Sequence, residues 1–305
     1  MYNPVTGRRF VKTWMADTIF PFAVDIYHKL EELTSGKFLY PRKIIRSLSA
    51  ETEFREWKKK ASRPEYKPYL HETDDVSELP ARVEIKGGGN LDVSQLIKTM
   101  GDYFRKSDLL ISEKLIYRDI QFRKQDIQWS NIQTQSVIFC EGYKAMWNPW
   151  FETLPFTHAK GELLTIHAPD LKQHHILSKG VFILPIGNDL YKVGATYDWD
   201  DLTTGTTEAA KRELQLKLGK ILNCSYTIHE HKAGIRPTVR DRRPLIGLHP
   251  EDDRLGIFNG LGTKGVSLAP YFASHFAAHL EEGTPLLSEV DMRRFSSRKR
   301  KKADG

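Results

Sequence analysis

A chain of 305 residues with 40% hydrophobic and 11% aromatic side chains is long enough for about two domains and a substantial buried core. It shows no apolar run of the ~18 residues that a membrane span needs and no signal-peptide pattern at its start. Cys140 and Cys224 are its only cysteines, which excludes a disulfide framework and points to a reducing cytoplasm. The formal net charge is +7, of which Arg298, Lys299, Arg300, Lys301 and Lys302, less Asp304, supply +4. The body is thus mildly basic, and the tail is either a solvated end or a contact for nucleic acid or another polyanion.

In chain order, MYNPVTGRRF carries turn signals at Asn3-Pro4 and Thr6-Gly7, followed at once by Arg8 and Arg9. From Thr18 the spacing predicts a helix. Pro21 fits its first turn, Phe22, Ile26, Leu30 and Leu33 share a face, and Gly36 ends it. Residues 38–53 alternate in strand fashion around Ile44, Ile45 and Leu48, whereas 56–80 are charged, broken by Pro64, Pro68 and Pro80, and read as an irregular excursion. A short strand at 83–85 leads to Gly87–Gly89. No Lys-Ser/Thr pair follows these glycines, so they predict a turn into a helix capped at Asn90 or Asp92, with Leu96, Met100 and Phe104 on one side. From Leu109 onward, LLIS, KLIYRDIQF, DIQWSNI and TQSVIFC predict an antiparallel meander, the last strand running into Cys140-Glu141-Gly142. An aromatic linker with Trp147, Pro149, Trp150 and Pro155 follows. AKGELLTI, VFILPIGNDLYKVGATYDWDD and CSYTIHEHKAGI then predict a second sheet, with a helix over 207–222 between its strands.

Residues 232–280 organise the rest: strand, turn, strand, glycine loop, helix. Ile257 and Phe258 end a β-rich run that Gly260, Gly262 and Gly265 break. Ser267 is a candidate N-cap, Pro270 fits a first turn, and Leu268, Phe272, Phe276 and Leu280 repeat every four residues. Such a loop lets backbone approach a ligand, and the helix start aims N–H groups at it. A phosphate, a carboxylate or an electron-rich carbonyl would each suit it. Glycine spacing alone separates none of these from an empty turn.

The wording of the stretch goes further. GIRPTVRDRRPLIG, FNGLGTKG and the apolar helix together resemble the C-terminal signature of the FAD-dependent amine and amino-acid oxidoreductases, the D-amino acid oxidase, glycine oxidase and sarcosine oxidase family. The resemblance implies a mixed α/β fold: a Rossmann-like FAD-binding domain with a second, antiparallel or mixed-sheet substrate domain. It assigns 1–37, 86–157 and 231–285 to the FAD side, 38–85 and 158–230 to the substrate side, and leaves 286–305 as a basic tail. It implies FAD as cofactor, hydride transfer from an amine or amino acid to flavin N5, and dioxygen or another acceptor to reoxidise the flavin. No side-chain base is demanded. Cofactor contacts carried over by position are Asn3, Thr6, Arg8, Leu115, Cys140, Gly142, Gly260, Leu261, Gly262, Thr263 and Lys264. There are two departures. The chain has no Gly-x-Gly-x-x-Gly, so it reads as a member missing its front βαβ unit, through a start assigned at an internal Met or a truncation. Glu141 stands where the family has a small residue, and its carboxylate would repel a pyrophosphate.

Arg236 is the substrate candidate. A guanidinium holds a carboxylate bidentately, and Gly234-Ile235-Arg236-Pro237 matches the family's Gly-x-Arg-Pro. The competing reading is a structural arginine paired with Asp241. Lys264 matches the loop lysine at the pyrimidine edge of the flavin, where a cation stabilises the reduced form; the alternative is a surface lysine. His229 and His231 lack a third metal ligand at a recognisable spacing, and no Gly-x-Ser-x-Gly elbow is present. Two other functions stay open: a flavin-dependent tRNA-base-modifying domain of the same fold, and a truncated form without activity.

Overall fold

The computed structural model describes residues 1–70 and 81–298. The end of the 56–80 excursion and the basic run from Lys299 onward lie outside them. Two compact units emerge. Unit 1 is Met1–Lys106, Lys160–Asp198 and Thr203–Gly234; unit 2 is Ser107–Ala159, Trp199–Leu202 and Ile235–Gly305. Segments 1–37 and 86–106, which the resemblance places on the FAD side, group here with most of 38–85 and 158–230, which it places on the substrate side.

Unit 1 is built on a seven-stranded mixed sheet in the order Thr227–Arg236, Ala159–His167, Leu190–Gly194, Val181–Gly187, Ile176–Lys179, Ile44–Leu48, Ala81–Ile85. Helices α1 (Ala16–Thr34), α2 (Glu51–Ala61), α3 (Val93–Lys106) and α4 (Glu208–Leu218) belong to it. Helix α4 begins where the sequence places it, with Thr207 Oγ1 accepting from the Ala210 amide at 3.2 Å. Its Leu214 and Leu218 are buried with Leu164, Ile183 and Val193 of the sheet. Burying each such side chain contributes roughly 1.5–3 kcal/mol.

Three expectations for this unit need correction. Helix α2 lies where an irregular excursion was expected. Its composition is charged, but Phe54, Trp57 and Ala61 fall on one buried stripe. Helix α1 buries Ile19, Phe20, Ala23, Tyr27 and Glu31 rather than the expected face, and Leu33 is 54% exposed. The turn of the helix brings Glu31 inward, where Oε1 accepts from the Phe38 and Leu39 amides, both at 2.7 Å. Helix α3 is capped at Asp92, whose Oδ1 accepts from Gln95 N, but Phe104 is exposed.

Unit 2 holds a three-stranded sheet in which Leu255–Asn259 is central, parallel to Val137–Phe139 and antiparallel to Leu245–Leu248. A small meander, Gln121–Phe122, Ile127–Trp129 and Ile132–Thr134, stands apart. LLIS forms no strand, and Val137–Phe139 leaves the meander for its parallel partner. Helix α5 (Gly265–Glu282) follows the glycine loop. It starts before Ser267, so Ser267 is a buried helical residue and Pro270 lies inside the helix, beyond its first turn. Leu268, Phe272 and Phe276 are buried as expected, whereas Leu280 is 43% exposed. Among the described residues no helix is long and apolar enough to cross a membrane.

Candidate functional site

Two parallel strands in unit 2 end side by side in glycine turns. Val137–Phe139 runs into Cys140-Glu141-Gly142, and Leu255–Asn259 into Gly260 and helix α5. The carboxyl ends of adjacent parallel strands are where ligands of α/β proteins bind. Asn259 joins the two turns. It is 2% exposed, its Nδ2 donates to Gly142 O at 2.8 Å, and its Oδ1 accepts from Gly260 N at 2.7 Å. Sequence reasoning missed this residue. Its signal was a polar amide at the end of an apolar strand, immediately before a glycine.

The glycine loop is itself braced. Gly262 N donates to Pro237 O at 3.0 Å and Lys264 N to Leu261 O at 3.1 Å. The amides of Gly260 and Gly262 therefore shape the loop, which leaves Leu261 and Thr263 as the loop amides without an acceptor among the described residues. The Gly262–Pro237 bond also holds the Arg236 end of its strand against the loop. Lys264 is half-buried. Burial, then the positive charges of Arg243 and Arg242, lower its pKa below the ordinary lysine value. An anion placed beside Nζ would relieve both effects.

Glu141 does not aim an unsatisfied carboxylate at the turn. Tyr117 Oη donates to its Oε1 at 2.5 Å, and Asn148 Nδ2 to its Oε2 at 2.8 Å. Burial, then the bond to Glu141 and the charge of that carboxylate, push the Tyr117 phenol above its usual pKa. Asp241, the rival partner for Arg236, is taken by Arg294, whose Nε and Nη2 donate at 2.8 and 3.2 Å. His231, weighed as a metal ligand, lies in unit 1 with Nε2 2.8 Å from Glu162. Leu115 packs against the core of unit 2, and Cys140 is exposed. Asn3, Thr6 and Arg8 belong to unit 1. There Asn3 Oδ1 accepts from Val5 N and Thr6 pairs with Val11.

The two turns differ in how tightly they are packed, which yields a prediction. Gly260 has φ +73°, and a Cβ there would lie 2.8 Å from both Leu245 N and Val239 Cγ2. Gly142 has φ +59° with nothing within 4 Å of a Cβ. Gly260→Ala is expected to cost roughly 2 kcal/mol or more, Gly142→Ala about 1 kcal/mol. Urea midpoints check this; equal shifts for the two variants would contradict the difference in packing.

A family model described as "FAD dependent oxidoreductase" (DAO) matches residues 13–279. A glycine oxidase of Bacillus subtilis is 32% identical over 120 residues, covering 38% of this chain and 32% of that protein. The bifunctional tRNA 5-methylaminomethyl-2-thiouridine biosynthesis protein MnmC of Caulobacter vibrioides is 35% identical over 92 residues, covering 28% of this chain and 15% of that protein. These curated relatives are thus matched over a third of their length or less. Among solved structures, the fold resembles glycine oxidase from Geobacillus kaustophilus, with TM-score 0.70 and 18% identity over 89% of this chain and 79% of that one. L-proline dehydrogenase from P. horikoshii gives TM-score 0.71 and 15% identity over 97% and 87%. The family match spans most of the chain, and the chain therefore belongs to the DAO family of FAD-dependent oxidoreductases.

Proposed function

We propose that this protein oxidises an amine or amino acid with FAD, Arg236 holding the substrate carboxylate and the 260–264 loop lying at the pyrimidine edge of the flavin. The observation that carries this reading is the union of the Gly142 and Gly260 turns through Asn259, with Arg236 braced against the same loop through Pro237. The residues present fit the cofactor. The Gly142 turn is open where a Cβ would stand, the Glu141 carboxylate is engaged by Tyr117 and Asn148, and Lys264 offers a partly desolvated cation.

When bound, FAD supplies at N5 the acceptor for a hydride leaving the substrate α-carbon. The chain's own residues orient and stabilise. The planar fork of Arg236 fixes a carboxylate in two hydrogen bonds and so sets the direction of the α-carbon. Lys264 Nζ holds its proton beside the site of developing negative charge, together with the outward amides of the loop. The stretch of identity with MnmC supports a second reading, in which the amine is carried on a modified tRNA base and no carboxylate is bound.

Arg236→Lys separates the two. It keeps the charge but loses the fork, so turnover of an amino-acid substrate is expected to fall at least ~10-fold, about 1.4 kcal/mol of transition-state binding. FAD content should be unchanged. Lys264→Ala should instead weaken flavin binding or lower its reduction potential, whichever amine is offered. If Arg236→Lys strips the flavin or unfolds the protein, the arginine is structural and the nucleoside substrate moves ahead.

A further inference from the structure

His158 directly precedes the strand Ala159–His167 and belongs to unit 2. It is 5% exposed, and neither ring nitrogen has a hydrogen-bond partner. Leaving a buried polar group unsatisfied is costly, and the reaction outlined above does not use this one. The ring stacks on Phe156, with centroids 5.2 Å apart at 27°, and meets Tyr143 edge-on at 6.4 Å and 87°. Two main-chain carbonyls bear on it from outside bonding geometry, those of Arg236 and Tyr143. Tyr143 follows the Gly142 turn. The Arg236 carbonyl accepts from Thr238 N at 2.9 Å, while Thr157 N donates to Thr238 O at 2.9 Å, and Thr238 Oγ1 donates back to Thr157 O. His158 therefore lies behind both the Gly142 turn and the strand end that carries Arg236.

We propose that His158 is a positioning residue for Arg236: as a neutral ring it spaces the Gly142–Tyr143 turn from the Arg236 main chain, and as a cation it draws both carbonyls onto its two N–H groups and turns the guanidinium away from a bound carboxylate. This rests on the reading of Arg236 as the carboxylate-binding residue. A neutral imidazole has one N–H and can satisfy one carbonyl; only the cation has two donors. Burial lowers the pKa of His158 below 6.5, partly offset by the carbonyls of Arg236 and Tyr143, so the neutral form prevails at neutral pH. Of the side chains that face its ring, Tyr143 is titratable, of a type that changes charge outside about pH 5–8. Phe156 and Thr157 carry no charge.

The proposal makes an unusual sign prediction. A bound carboxylate acting on His158 only through space would favour the cation; acting through position it favours the neutral ring, so carboxylate affinity weakens as the pH is lowered. The test uses the full chain loaded with FAD and trifluoroacetate, an anion at every pH used, with binding followed by fluorine NMR. For the unaltered protein, Kd at about pH 5.5 should be at least about fivefold higher than at about pH 7.5. His158→Gln, or His158→Asn if the longer amide fails to pack, should bind with a flat profile. A flat or inverted profile in the unaltered protein overturns the proposal without any variant. Equal profiles in the unaltered protein and the amide variant also overturn it. Arg236→Lys distinguishes the underlying reading. If it leaves trifluoroacetate binding unchanged, both fail; if it weakens binding while the His158 profiles coincide, only the positioning role is lost.

Discussion

Replacing Glu162 by alanine is expected to lower the unfolding free energy by roughly 3–5 kcal/mol. Glu162 is 3% exposed and stands 3.6 Å from Lys160, which is 1% exposed. Two further groups converge on the carboxylate. Thr207 donates to it through N at 2.9 Å and Oγ1 at 3.0 Å, and His231 Nε2 approaches to 2.8 Å. Removing it withdraws the carboxylate that stands 3.6 Å from Lys160 Nζ and frees Thr207, the N-cap of α4. A buried cation keeps its solvation deficit when a nearby anion is removed. Glu162→Gln retains the shape and an acceptor, so it should fall between. Chemical denaturation of the three proteins measures this, and a loss below about 1 kcal/mol for alanine would show that water or another group replaces the carboxylate.

Acid should remove a second, comparable contribution. Burial alone would raise the pKa of Glu31, but the Leu39 and Phe38 amides and Lys37 overcome it and hold the carboxyl at about 2, against an ordinary 4.5. The sign follows from linkage. The folded-state pKa is depressed, so the stabilisation is complete above the unfolded value and fades as pH falls from ~5 towards 2. A shift of this size corresponds to about 3 kcal/mol. Glu31→Gln should therefore be less stable than the unaltered protein at neutral pH, and the gap should close on acidification. Urea midpoints at several pH values measure it; a gap that stays constant would assign the stabilisation to packing.

The stretch from Gly234 to Gly265 was legible because its chemistry is local. An apolar run broken by glycines sets strand, turn and helix without help from distant residues, and the Gly-x-Arg-Pro wording survives intact. Helix α4 was legible for the same reason, with Thr207 as its cap. What escaped notice depends on partners far away in sequence. The charged surface of α2 hides the Phe54–Trp57–Ala61 stripe. The face of α1 is set by where Glu31 finds the Phe38 and Leu39 amides, not by the apolar spacing alone. Asn259 has meaning only once Gly142, 117 residues away, is beside it. Glu162 reads as one polar position in an alternating strand until Thr207 and His231 arrive.

That 117-residue separation has an architectural consequence. The Gly142 and Gly260 turns are stapled by one amide, and the chain between them contributes five strands to the seven-stranded sheet and all of α4. Because closure entropy grows only logarithmically, doubling that intervening length would cost only about 0.6 kcal/mol. The chain can thus lengthen, shorten or reshape much of its larger sheet while the stapled turns stay fixed.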